Sequence, residues 1–283
     1  MSKRDCQLRT KLTLGVLRKT VAKRGWQFWI DRGGTFTDVL AKGPQGTFHT
    51  HKLLSENPRA SEDPTLTGIR TVLGLSAESN LAAAPIESVT LGTTVGTNAL
   101  LERKGTPTAF LTTEGFGDAL SIGAQNRPQL FARHIISPEP LTHRIIEIAE
   151  RISSTGEVLK PLDETGAGIA LQNALAEGAE SVAITFVHGW RYPNHETRVA
   201  ELAREAGFVH VYTSHEVNAM ERLVPRGDTT VADAYLSPHL LSYVDRVAIG
   251  LGSGVRLNCM QSNGGLTAAR RFRGKDSVLS GPA

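Results

Sequence analysis

An octapeptide of glycines, threonines and aspartates lies between two strand-like segments near the start of the chain. Residues 31–38 read DRGGTFTD, after WQFWI at residues 26–30 and before VLA at residues 39–41. The flanking segments are rich in aromatic and β-branched side chains, which predicts two strands joined by a tight turn. Because two adjacent glycines let backbone N–H groups approach a phosphate closely, the octapeptide predicts a phosphate-binding hairpin.

Polar side chains in this hairpin indicate the chemistry of the site. Asp31, at the end of the first strand, is suited to hold Mg²⁺ directly or through water, since that ion prefers oxygen ligands. Asp38 is a second catalytic acid or an anchor of the turn. Contacts to phosphate are expected from Gly33, Gly34, Thr35 and Thr37. An ordinary glycine-containing hairpin is the alternative interpretation.

Strand and helix patterns alternate along the rest of the chain. The patterns predict strands over residues 47–54, 88–91, 108–112, 145–152, 181–187, 209–212 and 256–260. They predict helices over residues 61–73, 94–103, 116–122, 163–176, 194–205 and 228–249, the last interrupted at Ser237 and Pro238. Such alternation is typical of an α/β sheet with helices packed on its faces.

Length and apolar content limit the kind of protein. A chain of 283 residues buries roughly 75% of its unfolded surface, so it can form a substantial core. No stretch approaches the ~18 apolar residues of a membrane-spanning helix, so we expect no membrane partner. Cys6 and Cys259 cannot form a disulfide framework, which favours a reducing compartment and a cytoplasmic location.

Positive charge is concentrated in the first 25 residues. This leader has eight basic side chains and one acidic one, whereas the remaining 258 residues have 23 basic and 27 acidic side chains. The formal charge of +3 therefore divides into +7 on the leader and −4 on the body, and we expect no nucleic-acid partner. An Arg/Lys-rich, acid-poor leader is typical of a mitochondrial transit peptide, and a disordered extension is the alternative.

A second candidate anion site follows the strand predicted over residues 88–91. Residues 92–98 read GTTVGTN and lead into a predicted helix, whose free N–H groups would favour an anion. Thr93 and Thr94 are expected to add donors for a phosphate, and Asn98 a donor for a substrate. An ordinary threonine N-cap is the alternative.

Three further charged residues are candidates for substrate binding. Arg127 and Arg226 are suited to a carboxylate or phosphate, because guanidinium binds such groups in bidentate fashion. Asp228 is either a substrate-binding acid or a residue near the N-cap of the helix predicted to start there.

Two adjacent His–Glu pairs in the sequence are further candidates for a functional role. For His215 and Glu216, proton transfer and stabilisation of a turn both remain open. His195 and Glu196 lack the second histidine of a zincin motif, so we do not predict a zinc site there.

Several motifs resemble a known family. The octapeptide resembles the first phosphate motif of the actin-like ATPase superfamily. Residues 28–38, 51–58 and 92–105 narrow the resemblance to the hydantoinase A/5-oxoprolinase family, on its 5-oxoprolinase side. Other motifs typical of that family lie at residues 113–116, 125–128, 214–217, 226–230, 261–265 and 279–282. Because the motifs occur in order, the resemblance extends over residues 26–283.

This resemblance implies a fold and a division into domains. It implies an α/β protein with an actin-like ATPase (ribonuclease H-like) N-terminal domain, followed by a truncated second α/β domain. The leader, residues 1–25, is expected to be disordered, and the N-terminal domain to span residues 26–212. Residues 213–283 are expected to contain a linker and the truncated start of a hydantoinase A domain.

The family also implies ATP and Mg²⁺ as cofactors and a cyclic amide as the small-molecule substrate. The chain is then expected to be the ATP-binding portion of a 5-oxoprolinase-like enzyme, which hydrolyses 5-oxo-L-proline to L-glutamate in glutathione metabolism. Transfer of a phosphoryl group to the lactam oxygen would make that oxygen a leaving group. The alternatives are a hydantoinase, an ATP-dependent ketone carboxylase subunit, or a non-catalytic nucleotide-binding fragment. A homodimer or a hydantoinase B-like partner is the expected assembly.

The chain departs from the family pattern in two ways. Gly96 stands where family members usually have alanine, which is expected to weaken the helix slightly. The family's second phosphate motif and its hydantoinase B-like portion are both missing from the 283 residues. We therefore expect no substantial turnover by this chain alone.

Overall fold

Strands and helices alternate around two main sheets. The computed structural model describes residues 25–56, 62–124, 131 and 139–280. The predicted leader apart from Gly25, as well as Arg127, lies outside these described residues. The two sheets confirm a mixed α/β fold with parallel strands.

The described elements follow the predicted order closely. The strands are β1 (Trp26–Arg32), β2 (Phe36–Lys42), β3 (Phe48–Leu54), β4 (Ile86–Thr93), β5 (Thr108–Thr113), β6 (Arg144–Ile148), β7 (Arg151–Ile152), β8 (Val158–Lys160), β9 (Ser181–Thr185), β10 (His210–Thr213), β11 (Arg256–Met260) and β12 (Leu266–Ala268). The helices are α1 (Pro64–Leu73), α2 (Val95–Leu101), α3 (Ala119–Ile122), α4 (Glu164–Ala176), α5 (Asn194–Ala206), α6 (Ser214–Val217) and α7 (Leu223–Leu251).

The first sheet has six strands in the order β12-β11-β4-β1-β2-β3. It begins with an antiparallel meander of β1, β2 and β3, in which the octapeptide forms the first turn. β4 then lies parallel to β1, and β11 lies parallel to β4. The carboxyl ends of β1 and β4 are therefore adjacent at one edge of the sheet.

One face of this first sheet packs against α1 and α7. Side chains alternate along β1 and β2, so that one set is buried and the other faces outward. The buried set joins residues of both helices in one core, which includes Phe28, Ile30, Val39, Ala41, Ile69, Tyr243, Val244, Val247 and Cys259. Burial of each large apolar side chain stabilises the fold by about 1.5–3 kcal/mol. The other set includes Trp29, Asp31, Asp38 and Leu40, which remain exposed.

The second sheet has four parallel strands in the order β10-β9-β5-β6. Leu111 and Ile184 on one face pack against α4 and α5. Phe110 and Ala183 on the other face pack against Val231 of α7. The first half of α7 therefore covers the second sheet, and its second half covers the first.

α7 is longer than the sequence predicts. It begins at Leu223 instead of Asp228 and continues through Pro238 for 29 residues. Pro225 lies in the first turn, where no backbone N–H is needed. The helix continues through Pro238 despite the lost hydrogen bond, and Leu236 close to it is fully buried. No helix in the described ranges, α7 included, is both long and apolar enough to span a bilayer.

The segment after residue 213 joins the first sheet. α6 and the start of α7 occupy the predicted linker. β11 then pairs in parallel with β4, on the side away from β1. The strands expected in a truncated second domain thus lie in the same sheet as β1–β4, and the boundary at residue 212 stays a prediction.

Candidate functional site

Two of the predicted motifs meet at the carboxyl ends of β1 and β4. Asp31 lies opposite Asp38 across the β1–β2 pair and beside Gly92 across the β1–β4 pair. The backbone N–H of Thr94 donates to the carbonyl oxygen of Arg32 at 3.0 Å, which holds the start of α2 against the hairpin. The octapeptide and the GTTVGTN segment therefore form one site.

Asp31 and Asp38 form an acidic pair on the outer face of the sheet. Nζ of Lys52 donates to both carboxylate oxygens of Asp38, at 2.9 and 3.0 Å. The pKa of Asp31 is raised, first by its partial burial and second by the negative charge of Asp38, while Lys52 acts in the opposite direction. Among the described residues, Lys52 forms its ion pair with Asp38, and no ion pair is formed by Asp31.

Close contacts surround the two glycines of the octapeptide. The N–H of Gly33 donates to the carbonyl oxygen of Phe36 at 3.0 Å, and a Cβ on Gly33 would lie 2.9 Å from that oxygen. A Cβ on Gly34 would lie 3.1 Å from Nδ2 of Asn98. Nδ2 of Asn98 is also 3.5 Å from the hydroxyl oxygen of Thr94. Asn98 and Thr94 thus face the glycine turn, as the site prediction requires.

The two threonines of the octapeptide have different surroundings. Thr35 is exposed beside the turn, and its carbonyl oxygen accepts from the N–H of Ser55 at 2.9 Å. Thr37 is fully buried, and its hydroxyl lies 2.9 Å from Oγ of Ser55. Because side chains alternate along β2, Thr37 points to the helix-covered face, away from Asp38. The structure does not bring the Thr37 hydroxyl to the predicted phosphate site.

The side chain of Thr93 is buried and has a structural role, so it is not open to a ligand. It is fully buried, and its hydroxyl accepts from the N–H of Val95 at 3.2 Å. Its carbonyl oxygen accepts from the hydroxyl of Ser280 at 2.7 Å. These bonds match the alternative of a threonine that satisfies the start of α2.

A cavity of about 610 Å³ lies over the outer face of the first sheet. Its polar end contains Asp31, Asp38 and Lys52, and its other end contains Trp29 and Leu40. This volume falls in the range of about 300–1,000 Å³ that small-molecule sites occupy.

The predicted substrate-binding residues do not all lie at this site. Asn98 does, whereas Arg226 is fully buried near the second sheet and donates to the carbonyl oxygens of Phe186 and Met220. Burial lowers the pKa of Arg226. Asp228 lies on the surface of α7, inside the helix and not at its N-cap, where partial desolvation raises the pKa of its carboxyl group. Arg127 lies outside the described residues.

Sequence reasoning missed two residues of the site. Lys52 pairs in register with Asp38, and the turn at residues 43–46 sets that register, so the hairpin pattern alone could have identified it. Ser280 contacts Thr93 from 187 residues away, and no local signal marks such a contact.

The acidic pair fits a magnesium ion. Mg²⁺ is usually held by one or two carboxylates together with waters and phosphate oxygens. Asp31 and Asp38 supply two carboxylates on one face, and a cation there would offset their mutual repulsion. Within the described ranges, no group of three or more His, Cys, Asp or Glu side chains is arranged to hold a metal ion.

Two family profiles cover most of the chain. Residues 27–207 match the profile described as the hydantoinase/oxoprolinase N-terminal region, and residues 226–283 match the profile described as hydantoinase/oxoprolinase. The chain is 36% identical to the 5-oxoprolinase of Dictyostelium discoideum. The alignment of 306 residues covers 96% of this chain and 24% of that protein. The chain spans about a quarter of the length of this curated relative.

Solved structures share the fold. The ATP-dependent caprolactamase from Pseudomonas jessenii superposes with a TM-score of 0.75 at 32% identity, over 90% of this chain and 38% of that one. Among the curated sequences, caprolactamase subunit alpha of Pseudomonas jessenii is 33% identical over 93% of this chain and 39% of its own length. Acetone carboxylase in a nucleotide-free structure has a TM-score of 0.76 at 21% identity, over 92% of this chain and 39% of that one, which shows similarity of fold alone.

Proposed function

Because this chain belongs to the hydantoinase/oxoprolinase family, we propose that it is the ATP-binding N-terminal portion of a 5-oxoprolinase-like enzyme. The reaction would be the ATP-dependent hydrolysis of 5-oxo-L-proline to L-glutamate, in glutathione metabolism. The observation that carries this proposal is the pair of Asp31 and Asp38 beside a glycine turn, at the carboxyl ends of two adjacent strands. Similarity to a 5-oxoprolinase over almost the whole chain supports the choice of substrate.

Each residue of the site has a role in this proposal. Asp31 would hold Mg²⁺, and Asp38 would be the second acid beside it. Gly33 uses its N–H inside the turn, so the phosphate donors would be the N–H groups of Gly34 and Thr35. The side chains of Thr94 and Asn98 would add a hydroxyl and an amide. ATP would supply the phosphoryl group that activates the lactam oxygen.

We also propose that the first sheet belongs to an actin-like ATPase (ribonuclease H-like) domain. The order β3-β2-β1-β4-β11, with an antiparallel meander followed by parallel strands, supports this assignment. Such ATPases enclose nucleotide between two related halves, and the second phosphate motif is missing from these 283 residues. Turnover would therefore need further chain or a partner, such as a hydantoinase B-like subunit or a second copy. The name subunit alpha of the related caprolactamase supports a multi-subunit arrangement.

Titration of the 283-residue chain with Mg²⁺-ATP by calorimetry tests the role of Asp31. We expect Asp31→Asn to weaken binding about 10-fold or more, because a charged ligand to the metal is lost. Asp245→Asn, at an exposed position of α7, is the matched control and should bind as the wild type does. Equal binding by the wild type and Asp31→Asn would show that Asp31 does not hold the nucleotide-bound metal.

Substrate stimulation separates the candidate activities. ATP hydrolysis can be compared with 5-oxoproline, hydantoin, caprolactam, or acetone with bicarbonate as the second substrate. In a full-length enzyme that contains this chain, we expect stimulation by 5-oxoproline above the others. The 283 residues alone should show no substantial turnover, and robust 5-oxoproline-stimulated hydrolysis by them would contradict that expectation.

For the location we propose the cytoplasm, with import into mitochondria as the alternative. Residues 1–25 fused to a fluorescent reporter provide the test. Diffuse fluorescence supports the cytoplasm, whereas import of the reporter into mitochondria would establish the leader as a transit peptide.

A further inference from the structure

The strand at one edge of the first sheet has an unpaired side. β3 pairs with β2 along its whole length, and no described strand lies on its other side. It is seven residues long and contains no proline. Such an edge presents a row of unpaired backbone N–H and C=O groups, which can pair with a strand of another chain. This edge is therefore a candidate for association between strands.

Hydrogen bonds at both ends of the β2–β3 hairpin fix which residues of β3 point outward. The N–H of Gly43 donates to the carbonyl oxygen of Thr47 at 2.8 Å, and the N–H of Ser55 donates to the carbonyl oxygen of Thr35 at 2.9 Å. Because these bonds involve every second residue of an antiparallel pair, the odd-numbered residues of β3 bond to β2. The N–H and C=O groups of the even-numbered residues therefore point to the open edge, at Phe48, Thr50, Lys52 and Leu54.

The side chains of these outward residues form a symmetric pattern. Phe48 and Leu54, at the two ends, are 63% and 52% exposed. Thr50 and Lys52 between them are polar, and the charge of Lys52 is paired with Asp38. The order apolar, polar, polar, apolar is the same from either end of the strand. A strand that pairs antiparallel with its own copy about a two-fold axis needs this self-complementarity.

A single register of two antiparallel copies pairs all the outward residues. Centred on His51, it places Phe48 opposite the partner's Leu54, and Thr50 opposite the partner's Lys52. Each residue then exchanges two backbone hydrogen bonds with the residue opposite. A shift by two residues loses one of these pairs, and in one direction it places Lys52 opposite Lys52 of the partner subunit, which is destabilising. The register centred on His51 is therefore the favoured one.

We propose that β3 is a dimer interface, at which two copies of this chain join their first sheets into one continuous sheet about a two-fold axis at His51. Pairing removes the exposed Phe48 and Leu54 of each copy from water. Two paired strands form a small interface, so the dimer should dissociate on dilution. The interface needs no assumption about the reaction or its substrate.

This dimer would also complete one wall of the candidate site. Thr50, His51 and Lys52 line the cavity that contains Asp31 and Asp38. With the two strands in register, the partner's Thr50 lies opposite Lys52. The second copy therefore contributes a residue to the surroundings of the lysine that pairs with Asp38.

Sedimentation velocity of the 283-residue chain over about 1–300 μM measures the association. We expect a dimer fraction that increases with concentration. Thr50→Pro removes one outward N–H from each copy and leaves the bonds of β3 to β2 in place, so it should weaken association at least about 10-fold. Circular dichroism shows whether this variant is folded. Leu54→Lys is a second variant, which should also weaken association because it places a charge beside the partner's Phe48 and Lys42.

A proline at the opposite edge of the same sheet is the matched control. The N–H of Gln261 donates to the carbonyl oxygen of Gly265, so by alternation the N–H of Ala268 in β12 points away from β11. The φ of Ala268 is already −63°, which proline adopts without strain. Ala268→Pro should therefore associate as the wild type does.

Cysteine cross-linking tests the register. In a Cys6→Ser background, in which the remaining Cys259 is buried, His51→Cys places two thiols on directly opposite residues about 4.5 Å apart at Cα. That distance permits a disulfide. Thr50→Cys is the control, since its two copies are out of register by two residues and lie more than about 7 Å apart. Mild oxidation should give a covalent dimer at least about 10-fold faster with His51→Cys.

Three results would each overturn this interface. The first is a wild-type chain that stays monomeric up to about 300 μM. The second is association that is unchanged in folded Thr50→Pro or Leu54→Lys, or weakened equally by Ala268→Pro. The third is equal cross-linking of His51→Cys and Thr50→Cys.

Discussion

Asp31 shows how a site suited to a cation destabilises the ligand-free fold. Its pKa is raised by partial burial and by Asp38, so the folded chain binds a proton at Asp31 more tightly than the unfolded chain does. The ionised carboxylate therefore opposes folding above that pKa, and the penalty disappears as pH falls through it.

Asp31→Asn is consequently predicted to stabilise the ligand-free chain at neutral pH. The gain should be below about 1 kcal/mol, since the group is exposed to solvent. Urea unfolding at pH 7 and near pH 4 is the measurement, and the difference from the wild type should shrink at the lower pH. A variant less stable than the wild type at pH 7 would mean that the acidic pair is stabilising.

His215 should give the opposite pH dependence. Its folded pKa is raised above 6.5, mainly by the hydrogen bond to Glu196. The stabilisation from this pair is fully present below the unfolded pKa and is lost as pH rises through the folded pKa. The stability difference between the wild type and His215→Asn, from urea unfolding, should therefore be largest near pH 6 and smaller at pH 9. A difference independent of pH would show that the ring is neutral in the fold.

At the scale of the elements, the packing of α2 explains why glycine stands at position 96, where family members usually have alanine. Helix propensity alone favours alanine there. In the structure, however, a Cβ on Gly96 would lie 2.2 Å from Oγ of Ser277, which packs directly against the helix. The hydroxyl of Thr97 also donates to the carbonyl oxygen of Val278. The glycine therefore permits close packing of the segment that follows β12.

Gly96→Ala is thus expected to destabilise the chain by about 1–3 kcal/mol, as overpacking does. Gly168→Ala in α4 is the matched control, because a Cβ on Gly168 would meet no atom within 4 Å. That change should stabilise the fold by about 0.5–1 kcal/mol. Thermal unfolding of both variants measures the contrast, and equal shifts in Tm would show that Ser277 does not contact α2 closely.

Local pattern predicted the elements well but not the site in full. The octapeptide predicted the hairpin of β1 and β2 because its turn residues and flanking strands are contiguous. Alternation along β2 also predicts that Thr37 is buried. The expected contact of Thr37 with phosphate considered only its hydroxyl group and not this alternation. Glu196, and Glu150 beside His195, had no such signal, since their burial depends on partners in other elements. Pro238 was predicted to interrupt α7, yet packing on two sheets overrides that local preference.

At the scale of the whole molecule, the first sheet depends on β11. Asn258 of β11 pairs with Thr90 of β4, and a proline there would remove ladder bonds from an interior strand. Asn258→Pro should destabilise the chain by about 3 kcal/mol or more. Hydrogen exchange should increase in β1 and β4 and remain low in β9 and β5. Equal loss of protection in both sheets would instead indicate that they unfold as one unit.

The pairing of β4 with β11 also sets an order of events during synthesis. β4 ends at Thr93, but its neighbour β11 begins only at Arg256, after the whole second sheet has been made. At about 5–20 residues per second, the ribosome would take on the order of ten seconds to supply that neighbour. The second sheet, complete at Thr213, is then free to fold first, while the bare edge of β4 stays open to pairing with other nascent chains.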